Sequence, residues 1–340
     1  MAGEEILRLE RLTTEIETPT GAARIVDDVS LSVSAGRTLG IVGESGSGKS
    51  VTCLSVLGLL PSAARIASGA IWFKGENLAA KSAKELARHR GRGIGMILQN
   101  PMTSLNPLFR IGDQIGEVFK YHHKVRSRAD RWRRAVETMR QVRIPAPERR
   151  IYAYPHQFSG GMRQRISIAI NIGCDPDLLI ADEPTTALDV TIRLQILQLL
   201  RDIQRERRTA VILVTHDLHA VAKFCDEVAV MYAGRVIEQG PVAEVFARPA
   251  HPYTAGLIAA GPRISVDEQR LAVIPGQPPR PGEIVQGCAF APRCPRVSPI
   301  CRLQAPQVQE LGAQALGVRG FGSRRSVACW SPHELAEAAA

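Results

Sequence analysis

The chain has 340 residues, 45% of them apolar, and its 43 Lys and Arg outnumber 33 Asp and Glu for a formal charge of +10. That length suits one large and one small domain around a sizeable core, and no apolar run approaches the roughly 18 residues needed to span a bilayer. The start, "MAGEEILRLERLTT", lacks a basic-then-apolar export signal, so a cytoplasmic chain is expected, in which seven cysteines do not imply a disulfide framework.

Residues 37–60, "RTLGIVGESGSGKSVTCLSVLGLL", predict a short strand, a glycine-rich loop and an apolar helix stopped by Pro61. The loop fits G-x-x-x-x-G-K-[ST], with Gly43, Gly48, Lys49 and Ser50 at the fixed positions. Glycines let successive N–H groups curl around an anion, and the following helix points its positive end at the same place. Lys49 suits the β- and γ-phosphates of a nucleotide, and the Ser50 hydroxyl suits Mg²⁺.

Between Lys120 and Arg150 there are eleven basic residues against three acids. This reads as the solvated face of one or two helices, with anionic lipid or an acidic partner as alternatives. Few aromatics interleave the charges, which argues against specific nucleic-acid binding. In "QFSGGMRQRISIAI" (157–170), Gly160 and Gly161 follow Ser159 at the start of an apolar helix, predicting a second phosphate-binding terminus. One nucleotide hardly needs two termini from one chain, so a head-to-tail dimer is expected.

"CDPDLLIADEPTTALD" (174–189) predicts a buried parallel strand ending in Asp182 and Glu183. Asp182 suits Mg²⁺ through its water shell, and Glu183 suits a general base for an attacking water. A further strand, "AVILVT" (210–215), ends at His216, placed to bond a γ-phosphate or the attacking water. Beyond about residue 246 the chain turns Pro-, Arg- and Gln-rich, and "PGQPPRPGE" (275–283) reads as extended. Four cysteines follow in the spacing Cys288-x5-Cys294-x6-Cys301-x27-Cys329. The spacing is neither a zinc knuckle nor a ferredoxin run, yet four thiolates could staple a segment too small for its own core. Cys53, Cys174 and Cys225 read as core residues.

Taken in order, "GESGSGKS", Gln99 in "MILQNPMTSLNP", "FSGGMRQR", "LLIADE", Asp189 in "TTALD" and His216 in "VTHD" resemble the motifs of an ABC-transporter ATP-binding subunit. "DEPTTALDVTI", "VMYAGRVIEQG", "HPYTAGLI" and "GCAFAPRCP" resemble its dipeptide/oligopeptide importer group, over essentially the whole chain. The resemblance implies an α/β fold: a P-loop ATPase domain at 1–245, with a helical subdomain near 85–170, and a small loop-rich extension at 246–340. It implies that Gly43, Glu44, Ser45, Gly46, Ser47, Gly48, Lys49 and Ser50 cradle ATP. Ser50, Gln99 and Asp182 would serve Mg²⁺, Glu183 would be the base, and His216 would sense the γ-phosphate. Ser159, Gly160 and Gly161 would complete a partner's site, with Asp189 beside them.

The implied partners are a second, related ATPase subunit, two transmembrane permeases and, indirectly, an extracytoplasmic solute-binding protein. The implied place is the cytoplasmic face of the bacterial inner membrane. The resemblance also ties the four cysteines to a [4Fe–4S] cluster, with zinc or unligated thiols as alternatives. Two departures stand out. Phe158 and Met162 replace the usual Leu and Gln of the signature, and Ile16 stands where an adenine-stacking aromatic is expected. A soluble ABC ATPase acting on nucleic acid or ribosomes is the rival reading. Only about 110 residues separate P-loop and signature, with no second cassette, which disfavours it. No phosphate-loop group is expected to depend on the tail.

Overall fold

The computed structural model describes residues 4–19, 21–99, 104–186, 188–260, 273–280, 283, 286–311 and 325–333. Residues 100–103 of the "NPMTSLNP" stretch, Ala187, and residues 281–282 of the extended segment lie outside the described residues. The chain forms two compact units, one of residues 1–33, 38–80 and 215–340, the other of 34–37 and 81–214.

The first unit contains a four-stranded sheet in which Glu5–Thr18 lies between Gly21–Ser34 and Ala64–Phe73, with Glu76–Asn77 at the edge. Glu5–Thr18 and Ala64–Phe73 run antiparallel, from Leu7 opposite Phe73 to Ile16 opposite Ala64. Leu7, Leu9 and Ile71 are buried on one face while Arg8, Glu10 and Arg11 reach outward, as a half-buried sheet requires.

The same unit carries a second group of strands in the order Gln309–Glu310, Ser326–Val327, Arg235–Pro241, Glu227–Tyr232, Thr38–Val42. Thr38–Val42 is buried throughout and runs parallel to Glu227–Tyr232, Leu39 opposite Glu227 and Val42 opposite Val230. The helix Leu218–Phe224 packs so closely on it that a Cβ at Gly40 would lie 2.7 Å from Val221 Cγ1. Beyond Arg235–Pro241, the tail adds its own strand, with Glu238 opposite Val327 and Gln239 opposite Ser326.

The tail therefore shares the core of this unit. Phe290 is buried with Val228, Val230, Tyr232 and Tyr253, and Ile274, Cys288 and Cys294 pack against that cluster. Tyr232, Tyr253 and Phe290 meet edge to face, with ring centroids 4.7–5.4 Å apart. Such contacts add about 1 kcal/mol each beyond their area. Apolar packing, rather than a metal staple, holds the segment.

The second unit is built on three parallel strands, Ile94–Ile97, Leu178–Asp182 and Ala210–Thr215, with Leu178–Asp182 in the middle. Leu178–Asp182 and Ala210–Thr215 are buried along their whole length, which explains their unbroken apolar runs. The helices Ile111–Tyr121, Arg128–Gln141, Gly160–Ile172 and Val190–Arg207 complete the unit. Five of the eleven basic residues of the 120–150 stretch lie on Arg128–Gln141, the others on the segments either side of it. Arg128 there pairs with Asp113 at 3.1 Å, and Arg140 with Glu137 at 2.7 Å, all four partly exposed. Exposed pairs of this kind contribute ~0–1 kcal/mol.

One buried histidine gives the first unit a pH response. His251 is 1% exposed, and its Nδ1 accepts the Tyr253 N–H at 3.0 Å. Burial, reinforced by His333, drives its pKa down to about 3. The neutral form fits the fold, so stability is unaffected above the ordinary histidine pKa of about 6.5 and is lost as pH falls toward 3. The slope approaches ~1.4 kcal/mol per pH unit. Urea unfolding at pH 7.5, 6.5 and 5.5 is expected to show this loss in wild type and a shallower one in His251→Asn, whose side-chain carbonyl can accept the same N–H.

Candidate functional site

The phosphate loop begins where the buried strand Thr38–Val42 ends. Gly43 (φ +156°) and Gly48 (φ +95°) adopt conformations that L side chains resist. Space forbids a side chain as well. A Cβ at Gly43 would lie 2.2 Å from Met231 O, and one at Gly48 2.7 Å from Ile25 O. These glycines thus let the loop lie against neighbouring backbone, where Gly234 N–H also donates to Ser47 O at 3.1 Å. Gly48 leads into the helix Lys49–Leu57, which has no side-chain cap and no acid in its first turn. Lys49 is 6% exposed, and its Nζ donates to Gly43 O and Glu44 O at 2.8 Å and to Ser47 Oγ at 3.2 Å. The loop has therefore folded around its own cation. Ser45 and Gly46 are exposed at its crest, and Ser50 is half-buried.

Glu44 is held from two sides. Its N–H donates to Tyr253 Oη at 2.9 Å, and its carboxylate receives a bidentate fork from Arg293, at 2.8 and 3.0 Å. Arg293 lies in the tail, so a phosphate-loop group does depend on that segment, contrary to the expectation from sequence. The sequence marks neither partner, since 209 and 249 positions separate them from Glu44. Ile16 is half-buried in Glu5–Thr18, apolar but without a ring to stack.

In the other unit, Asp182 ends the central strand, is 5% exposed and pairs in register with Val214. Glu183 follows with φ +46°, a left-handed conformation that is costly for this residue type and unusual before a proline. It is fixed by its N–H to Val214 O at 2.9 Å. Its carboxylate Oε2 accepts from Gln99 Nε2 at 3.0 Å and from Thr186 Oγ1 at 2.8 Å. Gln99 and Glu183 are thus brought together. Thr186 is a further site residue that the sequence reading passed over, although a hydroxyl three positions after a carboxylate is a recognisable signal. In the first unit, His216 is exposed at the bend after Thr215, just before Asp217 caps the next helix through His219 N–H and Ala220 N–H.

Ser159 caps the helix Gly160–Ile172, its hydroxyl accepting Met162 N–H at 3.4 Å. Asp189 caps Val190–Arg207 by accepting Ile192 N–H at 2.9 Å. Gly160 has room for a methyl group, 3.5 Å from Leu188 Cδ2, but a Cβ at Gly161 would lie 2.6 Å from Ile192 Cγ2. Gly161 therefore answers a packing constraint between two helices.

In the first unit, the phosphate-loop glycines, a buried ammonium and a bare helix N-terminus match a polyphosphate. In the second unit, the Asp182 carboxylate at its strand end is of the kind that Mg²⁺ uses, an ion bound through one or two carboxylates plus phosphate and water.

The cysteines require a correction. Cys288, Cys294, Cys301 and Cys329 line one small cavity with Phe290 and Trp330. Among the described residues, however, no group of three or more His, Cys, Asp or Glu is placed to hold a metal ion. Burial pushes the Cys288, Cys294 and Cys329 thiols above their ordinary pKa. Neither the [4Fe–4S] cluster nor zinc is supported, and none of the seven cysteines forms a disulfide. Cys53 and Cys174 are core residues, 1% and 7% exposed, and Cys225 packs against the core.

Comparison with known proteins agrees with this geometry. Residues 26–186 match the ABC transporter family, and residues 237–301 match the oligopeptide/dipeptide transporter C-terminal region. The oligopeptide transport ATP-binding protein OppD of Escherichia coli is 45% identical over 97% of this chain and 94% of its own. The dipeptide transport ATP-binding protein DppD of Bacillus subtilis is 44% identical, over 98% and 97%. Among solved structures, the ATP-binding cassette MJ0796, a dimer bound to ADP and Pi, superposes with TM-score 0.63 at 26% identity, over 70% of this chain and 99% of its own. With its phosphate loop, its strand-end carboxylates and near-complete alignment to these relatives, the chain belongs to the ATP-binding subunits of ABC transporters, in the oligopeptide/dipeptide group.

Proposed function

We propose that Glu183 is the general base of an ATPase that energises a membrane importer of di- or oligopeptides. The observation that carries this assignment is the Glu183 carboxylate. It stands one residue beyond a buried strand, in a strained backbone, aimed by Gln99 and Thr186. Strain held at one carboxylate by its surroundings is a mark of a functional group.

ATP is held through its phosphates by the backbone of residues 43–48 and by Lys49, which leaves its loop oxygens for the β- and γ-phosphates. Ser50, Asp182 and Gln99 would hold Mg²⁺, which would supply positive charge against the phosphate oxygens. Glu183 orients a water and takes its proton as the oxygen attacks the γ-phosphorus; the bond from that phosphorus to the β,γ-bridging oxygen breaks, ADP leaves with the bridging oxygen, and His216 bonds the γ-phosphate. Ser159, Gly160, Gly161 and Asp189 face the nucleotide of a partner ATPase subunit, so each site is completed by two chains. We assign residues 1–245 to the ATPase domain, with its helical part near 85–170, and 246–340 to the importer-type extension. The assembly pairs this chain with a second, related ATPase subunit and two permeases at the cytoplasmic face of the inner membrane, served by a solute-binding protein. No described helix is long and apolar enough to cross a membrane, which suits a peripheral subunit.

Two measurements test this reading. Glu183→Gln is expected to retain ATP binding but lose on the order of 10²–10⁴-fold in turnover, whereas Lys49→Ala weakens binding itself. Steady-state ATPase and equilibrium ATP binding separate the two, and near-normal turnover in Glu183→Gln removes Glu183 from the base role. The isolated chain is also expected to hydrolyse ATP slowly and to accelerate when reconstituted with its permeases and partner subunit. Full activity in a demonstrably monomeric sample, or stimulation by DNA in place of membrane partners, contradicts the assembly.

A further inference from the structure

The Arg293 side chain is buried to 5% exposure, and its Glu44 partner to 26%. A guanidinium carries five N–H donors in a fixed fork, and all five are used. Nε donates to Pro275 O at 2.9 Å. Nη1 donates to Glu44 Oε2 at 2.8 Å and to Tyr232 Oη at 3.3 Å. Nη2 donates to Glu44 Oε1 at 3.0 Å and to Ile274 O at 3.3 Å. The guanidinium carbon also lies 5.8 Å from the Tyr232 ring centroid and 6.0 Å from that of Phe290. The Glu44 carboxylate holds the guanidinium in its charged form, raising its pKa further. A cation this fully engaged is built into the fold.

Glu44 occupies the first variable position of the phosphate loop, and its own carbonyl accepts from Lys49 Nζ at 2.8 Å. The tail and the phosphate-binding lysine thus meet on one residue. A carboxylate at the rim of a polyphosphate site is a liability, because it repels the ligand across a partly dry boundary where screening is weak. The bidentate pair with Arg293 removes that charge from the rim.

We propose that Arg293 is a positioning residue of the nucleotide site: by sequestering the Glu44 carboxylate it strips a negative charge from the rim of the phosphate loop, so that the C-terminal tail sets how tightly Mg-ATP is held. This rests on the ATPase reading above. It extends that reading by giving the tail a role in nucleotide affinity, exercised through one ion pair. The cysteine thiols take no part in it.

The test uses the full-length chain, reading the KM for Mg-ATP and kcat at saturation. Arg293→Met is expected to raise KM on the order of tenfold with kcat within about twofold of wild type, since the groups that move the proton are untouched. The loss is expected to shrink in high salt. Arg293→Lys keeps the charge but not the five-donor fork, and its KM is expected to fall between wild type and Arg293→Met; a KM above that of Arg293→Met counts against the charge argument. Arg293→Met/Glu44→Gln is expected to regain most of the lost affinity, because the exposed carboxylate is gone. A merely structural defect would persist in the double variant, so its failure to regain affinity overturns the proposal. An unchanged KM in Arg293→Met does the same. If Arg293→Met does not fold, Glu44→Gln alone decides, because it leaves the cation unmatched and is expected to lower KM; a raised KM overturns the idea. Wild type that neither binds nor hydrolyses ATP refutes the ATPase reading itself, a result distinct from any of these.

Discussion

A single buried carboxylate, that of Glu238, ties together the parts of the first unit that matter for nucleotide binding. It is 1% exposed in the strand Arg235–Pro241 and accepts from Ala250 N–H at 2.9 Å, His251 N–H at 2.8 Å and Arg325 at 3.0 Å. A charge taken out of water is tolerable only when paired and hydrogen-bonded, and removing one partner of such a pair costs ~3–5 kcal/mol. Here the partners come from the turn before Pro252–Ala260 and from the tail strand. His251, so fixed, accepts the N–H of Tyr253, whose hydroxyl accepts the N–H of Glu44. A line of hydrogen bonds therefore runs from Arg325, beside the tail strand, to Glu44 of the phosphate loop.

That arrangement explains which features were legible in the sequence. The phosphate loop, the all-apolar strands and the caps Ser159 and Asp189 are local. A few adjacent residues dictate a turn, a buried ribbon or a helix start, and the structure adds distances to what the letters already imply. Gly161 was legible as a glycine but not for its reason, because Ile192 belongs to another helix. The tail was the least legible part. Its Pro-rich composition suggests a loop needing a staple, whereas Phe290 and Ile274 join a core supplied by strands some forty to sixty positions earlier. Ion pairs such as Glu44 with Arg293 leave no periodicity to detect. Each partner looks like an ordinary surface residue until the fold joins them.

The two halves of the chemistry are stabilised by different means. The phosphate loop is shaped by steric necessity, its glycines pressed on Met231 and Ile25, so its form persists as long as the strand beneath it does. Glu183 instead has an unfavourable backbone conformation, with its N–H on Val214 O and its carboxylate accepting from Gln99 and Thr186. A group of that kind can be re-aimed when one contact changes, and Gln99, exposed at its outer edge, is the contact most open to change.

The 249 positions between Glu44 and Arg293 also impose an order on biosynthesis. Chains leave the ribosome at about 5–20 residues per second, so the phosphate loop emerges on the order of 10–50 s before the arginine that covers its carboxylate. The loop takes its shape only once Met231 has emerged beneath Gly43, so a formed loop carries a bare glutamate for about 3–12 s. Once residue 293 emerges and Phe290 seats in the core, the loop reaches its final charge. Nascent and prematurely terminated chains would thus compete poorly for nucleotide, and the pool of ATP-loaded subunits would be drawn from finished molecules.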